Sequence, residues 1–282
     1  MGGIMKKLVL AGAALAVLVG GPALAADLPV KAPIIAPVYD WTGFYVGINA
    51  GSSFGRSESD LAFTGFPTVS GTSNINGGIA GGQAGYNWQF NPKFLFGVEA
   101  DIQAAWQRGT LEIADGPFCV TPITTNFPVT TCRTAQAALE QRIPWFGTGR
   151  VRLGALPFPD WLFYATGGVA FAEIENNVAV SQATSVTTFI GATPVPGVTS
   201  VLTAVGSANA TRVGWTVGAG TEYVLGSGWT GKLEYLFIDY GSFSTTYTLA
   251  GVPVLTTTSH MTDNILRVGL NYRFGGPVVA KY

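Results

Sequence analysis

Eleven charged residues stand out in otherwise apolar stretches of this 282-residue chain: Glu99, Asp101, Arg142, Arg150, Arg152, Arg212, Glu222, Lys232, Glu234, Arg267 and Arg273. They recur at alternate positions, and alternate residues of a strand share one face. The apolar side chains between them would then line the opposite face. Seven of the eleven are basic. Inside a closed sheet they could form a salt-bridge and hydrogen-bond network, or line a narrow path that prefers anions. The network is favoured, because a small barrel has an interior just wide enough for its own side chains to fill. Charges held there must pair, since removing one partner of a buried pair costs about 3–5 kcal/mol.

Other candidate chemistry is sparse. Cys119 and Cys132 are the only cysteines and lie in one irregular stretch. In an oxidising compartment they are expected to form a disulfide, worth about 3 kcal/mol in the chain-entropy model. No histidine or second cysteine pair lies near them in sequence, which argues against a metal site. His260 is the only histidine and precedes the last apolar segment. A hydrolase would need a serine and an orienting group beside it, and adjacent Ser259 would point to the opposite face of an extended chain. Gly77-Gly78 and Gly81-Gly82 suit bends or close packing of strands rather than phosphate binding. The residues support no enzyme, no cofactor and no metal.

The elements that would position these charges follow from composition and period. Hydrophobic residues make up 48% and charged residues 11%, against about 25% charged in soluble proteins. With Lys+Arg 15 against Asp+Glu 16, no basic surplus exists for nucleic acid. Met1 to Ala25 reads as a secretory signal peptide: Lys6 and Lys7, an apolar run from Leu8 to Val19, then Ala23-Leu24-Ala25 as the cleavage site. Residues 26–40 carry Pro29, Pro33 and Pro37 without periodicity and read as a periplasmic linker.

From Trp41 the period becomes two. Phe44, Val46, Ile48 and Ala50 alternate with Tyr45, Gly47, Asn49 and Gly51; six further segments alternate likewise, the last being Asn264 to Phe274, and a seventh, Trp161 to Ala172, is apolar on both faces. Short turns at Asn91-Pro92-Lys93, Pro157 to Asp160 and Gly226-Ser227-Gly228 alternate with long Ser/Thr/Gly-rich stretches: Ser52 to Gly77, Gln107 to Glu140, Glu173 to Thr211 and Gly241 to Asp263. That alternation predicts an all-β fold, an eight-stranded antiparallel transmembrane β-barrel with short periplasmic turns and long extracellular loops. The barrel spans 41–274, and 275–282 form a C-terminal extension. Gly167-Gly168 is a candidate bulge. The seven tryptophans, Trp41 among them, fall largely near strand ends, where aromatic girdles sit.

The run Val38-Tyr39-Asp40-Trp41-Thr42-Gly43-Phe44-Tyr45-Val46-Gly47 resembles the start of the alphaproteobacterial small outer-membrane proteins, the outer-membrane immunogenic or porin-family surface antigens. Tyr164 to Ala170, Lys232-Leu233-Glu234-Tyr235 and the closing Arg267 to Phe274 are similar as well. The resemblance implies an outer-membrane barrel with roles in envelope integrity and surface exposure. A narrow passive channel and a loop-mediated adhesin or ligand binder are the alternatives. Expected partners are outer-membrane lipid, lipopolysaccharide included, and the barrel-assembly machinery, with any extracellular partner unidentified. Either Phe274 or Tyr282 would serve as the aromatic assembly signal. Haem capture would need His, Met or Tyr ligands, and Met1 and Met5 would leave with the leader.

Overall fold

The computed structural model describes residues 39–122, 128–249 and 251–274. The expected leader at 1–25, residues 26–38 of the proline-rich segment and the expected extension at 275–282 lie outside them. Eight strands follow in chain order: β1 (Gly43–Phe63), β2 (Thr68–Asn91), β3 (Phe94–Val120), β4 (Val129–Phe158), β5 (Trp161–Ile190), β6 (Thr193–Gly226), β7 (Trp229–Leu249) and β8 (Val252–Arg273). Each pairs antiparallel with its neighbours, and β1 pairs with β8 to close the barrel. Hydrocarbon offers backbone groups no partner, so only a closed sheet satisfies every N–H and C=O.

The strands exceed what a membrane requires. They reach from 21 residues in β1 to 34 in β6, where about 9–11 span a bilayer. The surplus stands on the extracellular side, so the long connections are themselves largely strand. Between Ser52 and Gly77, for example, β1 and β2 stay paired up to Ala62↔Thr68. Ser and Thr made these stretches look like loops, yet inward positions there carry Leu61, Phe63, Leu111, Leu139, Val178, Val180 and Leu255. Thr and Val fit a pleated, half-buried surface.

Pairing of β2 with β3 ends at Asn76↔Arg108, and pairing of β6 with β7 ends at Trp215↔Asp239. Beyond those points the other ladders continue: β3–β4 to Val120↔Thr131, β5–β6 to Ile190↔Thr193 and β7–β8 to Leu249↔Val252. The barrel therefore opens into two four-stranded sheets, β7–β8–β1–β2 and β3–β4–β5–β6. Leu61, Phe63, Tyr247 and Leu255 of the first pack with Leu111, Leu139, Val178 and Val180 of the second. This is sandwich packing built on top of a barrel. Gly241 supplies the departure of β7 from β6. Its φ is +70°, a conformation glycine adopts without steric cost, and its N–H donates to Asp239 Oδ1 at 2.7 Å.

The register runs unbroken through Gly167-Gly168, so no bulge lies there. The shift falls instead between Arg142 and Phe146 of β4. Pro144 sits within it, and proline, which cannot donate to a ladder, belongs at bulges.

Candidate functional site

The outer face carries the lipid contact. Phe44, Val46, Ile48, Val98, Ile102, Val151, Val217 and Val268 project outward, bounded by Trp88, Trp161 and Trp229 at the turn end and by Phe54, Trp106 and Trp215 at the other. Two aromatic rows enclosing an apolar band are what a bilayer and its headgroups select. Trp41 departs from the expected girdle. It is only 1% exposed and packs with Leu95, Leu156, Leu162 and Tyr164 across the periplasmic mouth. It precedes β1, so strand alternation does not govern it, and its indole N–H donates to the Pro159 carbonyl at 2.9 Å.

Inside, four carboxylates meet four cations. Arg150 of β4 bonds Glu234 at 3.0 Å and Asp101 at 2.8 Å, and also bonds Glu99. Arg152 bonds Glu99 at 3.3 Å and Glu222 at 3.0 Å. Arg267 bonds Glu234 at 2.6 Å and Asp101 at 3.0 Å. Lys232 holds Glu99 at 2.8 Å. Local register creates part of this: Glu99↔Arg150, Glu222↔Lys232 and Glu234↔Arg267 are direct cross-strand neighbours. All eight side chains are buried. Charges withdrawn from water persist only when paired and hydrogen-bonded, and here each carboxylate has several donors.

Neutral side chains complete the layer. Tyr45 donates to Glu99 at 2.7 Å and Tyr164 to Glu234 at 2.9 Å. Thr148 donates to Asp101 at 2.7 Å, and Asn271 to Glu222 at 2.8 Å. The Arg152 guanidinium also lies 4.7 Å from the Tyr164 ring centroid, a cation–π contact strengthened by the burial of both groups. Above the charges an apolar layer of Ile79, Ile143, Phe146, Leu236, Ile238 and Ile265 fills the lumen. Interior glycines make room for the tyrosines: a Cβ on Gly220 would lie 2.5 Å from the Tyr164 hydroxyl.

Three of the sequence-derived charges stand apart. Arg142 faces outward and pairs with Glu140 at 2.6 Å, because the bulge at Pro144 reverses strand parity and sends Ile143 inward in its place. Arg212 lies above the network, its guanidinium 4.5 Å from the Phe243 ring centroid. Arg273 closes the periplasmic end, donating to the Tyr39 hydroxyl and the Thr42 carbonyl, each at 3.1 Å. Sequence reasoning missed Asp263, placed at the edge of a loop. It is buried and accepts from Ser53 at 2.5 Å and Gln107 at 2.9 Å. Period two, continued from Arg267 back through Ile265, would have put it on the inward face.

Cys119 and Cys132 are bonded, directly opposite each other near the end of the β3–β4 hairpin. His260 lies on β8 rather than in a loop, half-exposed on the outer face, while Ser259 points inward to Ser59 at 2.8 Å. Ser242 Oγ is 3.1 Å from His260 Nδ1, and Asp239 lies 3.6 Å from Nε2. At that length the carboxylate forms no hydrogen bond, so Asp239 does not orient the ring as a triad aspartate would.

The family described as Outer membrane protein beta-barrel domain matches residues 11–274. The chain belongs to that family. It is 31% identical to a 31 kDa outer-membrane immunogenic protein of Brucella melitensis biotype 1, over 96% of this chain and 100% of the relative. A 25 kDa outer-membrane immunogenic protein of Brucella abortus biovar 1 is 26% identical over 96% of this chain and 99% of its own length. A 22 kDa outer membrane protein of Rhizobium leguminosarum bv. viciae is 27% identical over 77% of this chain and 71% of its own. This family member is an outer-membrane β-barrel, and its strands, turns and aromatic rows are those of a transmembrane barrel.

Proposed function

We propose that the protein is a closed structural barrel that contributes to envelope integrity and carries no enzymatic or conducting function. One observation supports this most: the four-acid, four-base network spans the interior, with each of Glu99, Asp101, Glu222 and Glu234 bonded to Arg or Lys. Within this layer the charges neutralise one another, which leaves it no basic excess to select anions. An ion entering would have to break buried pairs worth about 3–5 kcal/mol each to disrupt. The apolar layer above and Trp41 below add two further closures.

The test is single-channel conductance of the folded, heat-modifiable protein in a planar bilayer. Silence is the expected result. Steady openings whose ion preference shifts in Arg150→Gln and Arg152→Gln variants would replace this reading with a narrow channel.

A surface-binding role has its own support in the end of the β5–β6 hairpin. Residues 193–203 are exposed on both faces, with Val198 at 78%. No charged residue occurs from 176 to 211. Deleting 184–203 should abolish any cell-surface binding the protein mediates while the barrel still assembles.

A further inference from the structure

Above the barrel one strand edge is left bare. β6 pairs with β7 only as far as Trp215↔Asp239, whereas its ladder with β5 runs on to Ile190↔Thr193. Among the described residues, the other edge of β6 above Gly214 has no backbone partner. Near the barrel, side chains of β7 cover the inner face: Phe243 stacks on Arg212, and Tyr247 packs over Gly206. Val198 to Val205 stand clear of this cover, with Val198 78%, Val201 63% and Val205 87% exposed. The edge belongs to a formed sheet. β4 backs β5 to Val129↔Thr188, and the Cys119–Cys132 bond fastens β3 to β4 beside them. A strand already held in place loses little conformational freedom on pairing.

A bare edge is a template for another strand, and proteins guard such edges with charges, proline or bulges. β3, at the other side of the same sheet, carries Arg108, Glu112 and Asp115. On β6 the guards lie at the far end only: Pro194, Pro196 and the register shift opposite Ser185 and Thr187. Val198-Thr199-Ser200-Val201-Leu202-Thr203-Ala204-Val205 has neither charge nor proline.

We propose that this segment pairs with its own copy on a second molecule in a facing outer membrane, so that the protein joins cell to cell. Self-pairing sets each residue opposite or near its own copy, where a charge would meet its like and destabilise the ladder. A segment without charges is therefore self-complementary, and its β-branched side chains fit both faces of a sheet. The membrane decides the direction. Barrel strands tilt by about 35–45°. A two-fold axis along the membrane normal would cross two copies in one membrane at roughly 70–90°, against roughly 20–25° between neighbours in a sheet. A copy in a facing membrane is inverted, and one two-fold axis between the two then makes the strands antiparallel. Val201 stands 14 residues above Trp215 on β6, roughly 46 Å of strand at about 3.3 Å per residue, well beyond the headgroup level. Eight residues a side bury less than a standard interface of about 1,600 Å², so the contact draws its strength from many copies in each membrane. The inference rests on the surface-binding reading of the β5–β6 hairpin and names its partner.

The test uses the full-length folded protein in phosphatidylcholine vesicles, read by turbidity and two-colour microscopy. Vesicles carrying the protein should cluster, and protein-free vesicles of the second colour should stay outside the clusters. Val201→Lys and Val201→Glu should each reduce clustering at least about tenfold, since many weak pairs act together between two membranes. Mixing vesicles of the two variants should restore it, because unlike charges then meet across the ladder. Val252→Lys, at the exposed end of the β7–β8 hairpin, should change clustering less than about twofold, as a surface change away from the contact. All variants should remain heat-modifiable. Val201 variants that cluster as well as the unaltered protein, a mixture of the two that stays dispersed, or capture of protein-free vesicles would each overturn the proposal. Dispersed vesicles of the unaltered protein would overturn it too. Binding to other surfaces that is lost on deleting 184–203 would then show that the hairpin binds, but not its own copy.

Discussion

Lys232 on β7 reaches across the lumen to Glu99 on β3, its Nζ 2.8 and 3.0 Å from the two carboxylate oxygens. These strands are not neighbours in the sheet, so the contact bridges the interior rather than running along the wall. Glu99 keeps Arg150 and Arg152 when Lys232 is lost. Lys232→Met should therefore destabilise the barrel by about 3 kcal/mol, the lower end for breaking a buried pair. Glu99→Gln combined with Lys232→Met should cost less than the two single changes together. Urea unfolding in lipid vesicles, followed by the heat-modifiable gel shift, measures both.

The reversal of parity at Pro144 gives a labelling experiment. Cysteine at Arg142 should react with a membrane-impermeant thiol reagent on whole cells, and cysteine at Ile143 should stay protected. The same geometry separates two arginines by stability. Arg142→Ala removes an ion pair that is over a third exposed and should cost at most about 1 kcal/mol. Arg150→Ala takes one partner from each of three buried carboxylates and should cost about 3–5 kcal/mol. Equal labelling or equal cost would mean that β4 continues without the bulge.

These two sites also show how far the sequence could be read. Glu99, Asp101, Arg150, Arg152, Lys232, Glu234 and Arg267 are legible as one inward set, because alternation within a strand is local. Alternation fails across a bulge, and the period of Arg150 extended through Pro144 puts Arg142 on the wrong face. Lys232 meeting Glu99 was not legible either. A contact across the lumen depends on the stagger and tilt with which eight strands close, and no single strand encodes that. The extracellular strands are hidden for a different reason: buried Ser57, Ser59, Ser73, Thr257 and Ser259 share the inward face with Leu61, Phe63, Val178 and Val180, so the apolar half of the pattern is interrupted.

Gly220 tests interior fit. An added Cβ would lie 2.5 Å from the Tyr164 hydroxyl, which donates to Glu234. The ring must then move and leave one carboxylate oxygen short of a donor. Gly220→Ala should cost about 1–3 kcal/mol by overpacking. Gly231→Ala is the control, since the nearest atom to its added Cβ, on Leu225, is 3.5 Å away, an ordinary contact. Parallel urea titrations should separate the two variants by more than one kilocalorie-scale step, about tenfold in equilibrium constant.

The disulfide acts far from all of this. Cys119 and Cys132 join opposed positions near the extracellular end of the β3–β4 hairpin, with the whole sandwich between them and the membrane. Their bond limits the freedom of a short loop in the unfolded chain, worth about 3 kcal/mol at most in the entropy model. Because the hairpin end sits beyond the last β2–β3 pair, that stabilisation is local. Cys119→Ser/Cys132→Ser should make the β3–β4 hairpin more sensitive to limited proteolysis while the gel shift of the barrel persists. Loss of the shift itself would mean that the hairpin end is needed for the barrel to close, and that sandwich and barrel fold as one cooperative unit.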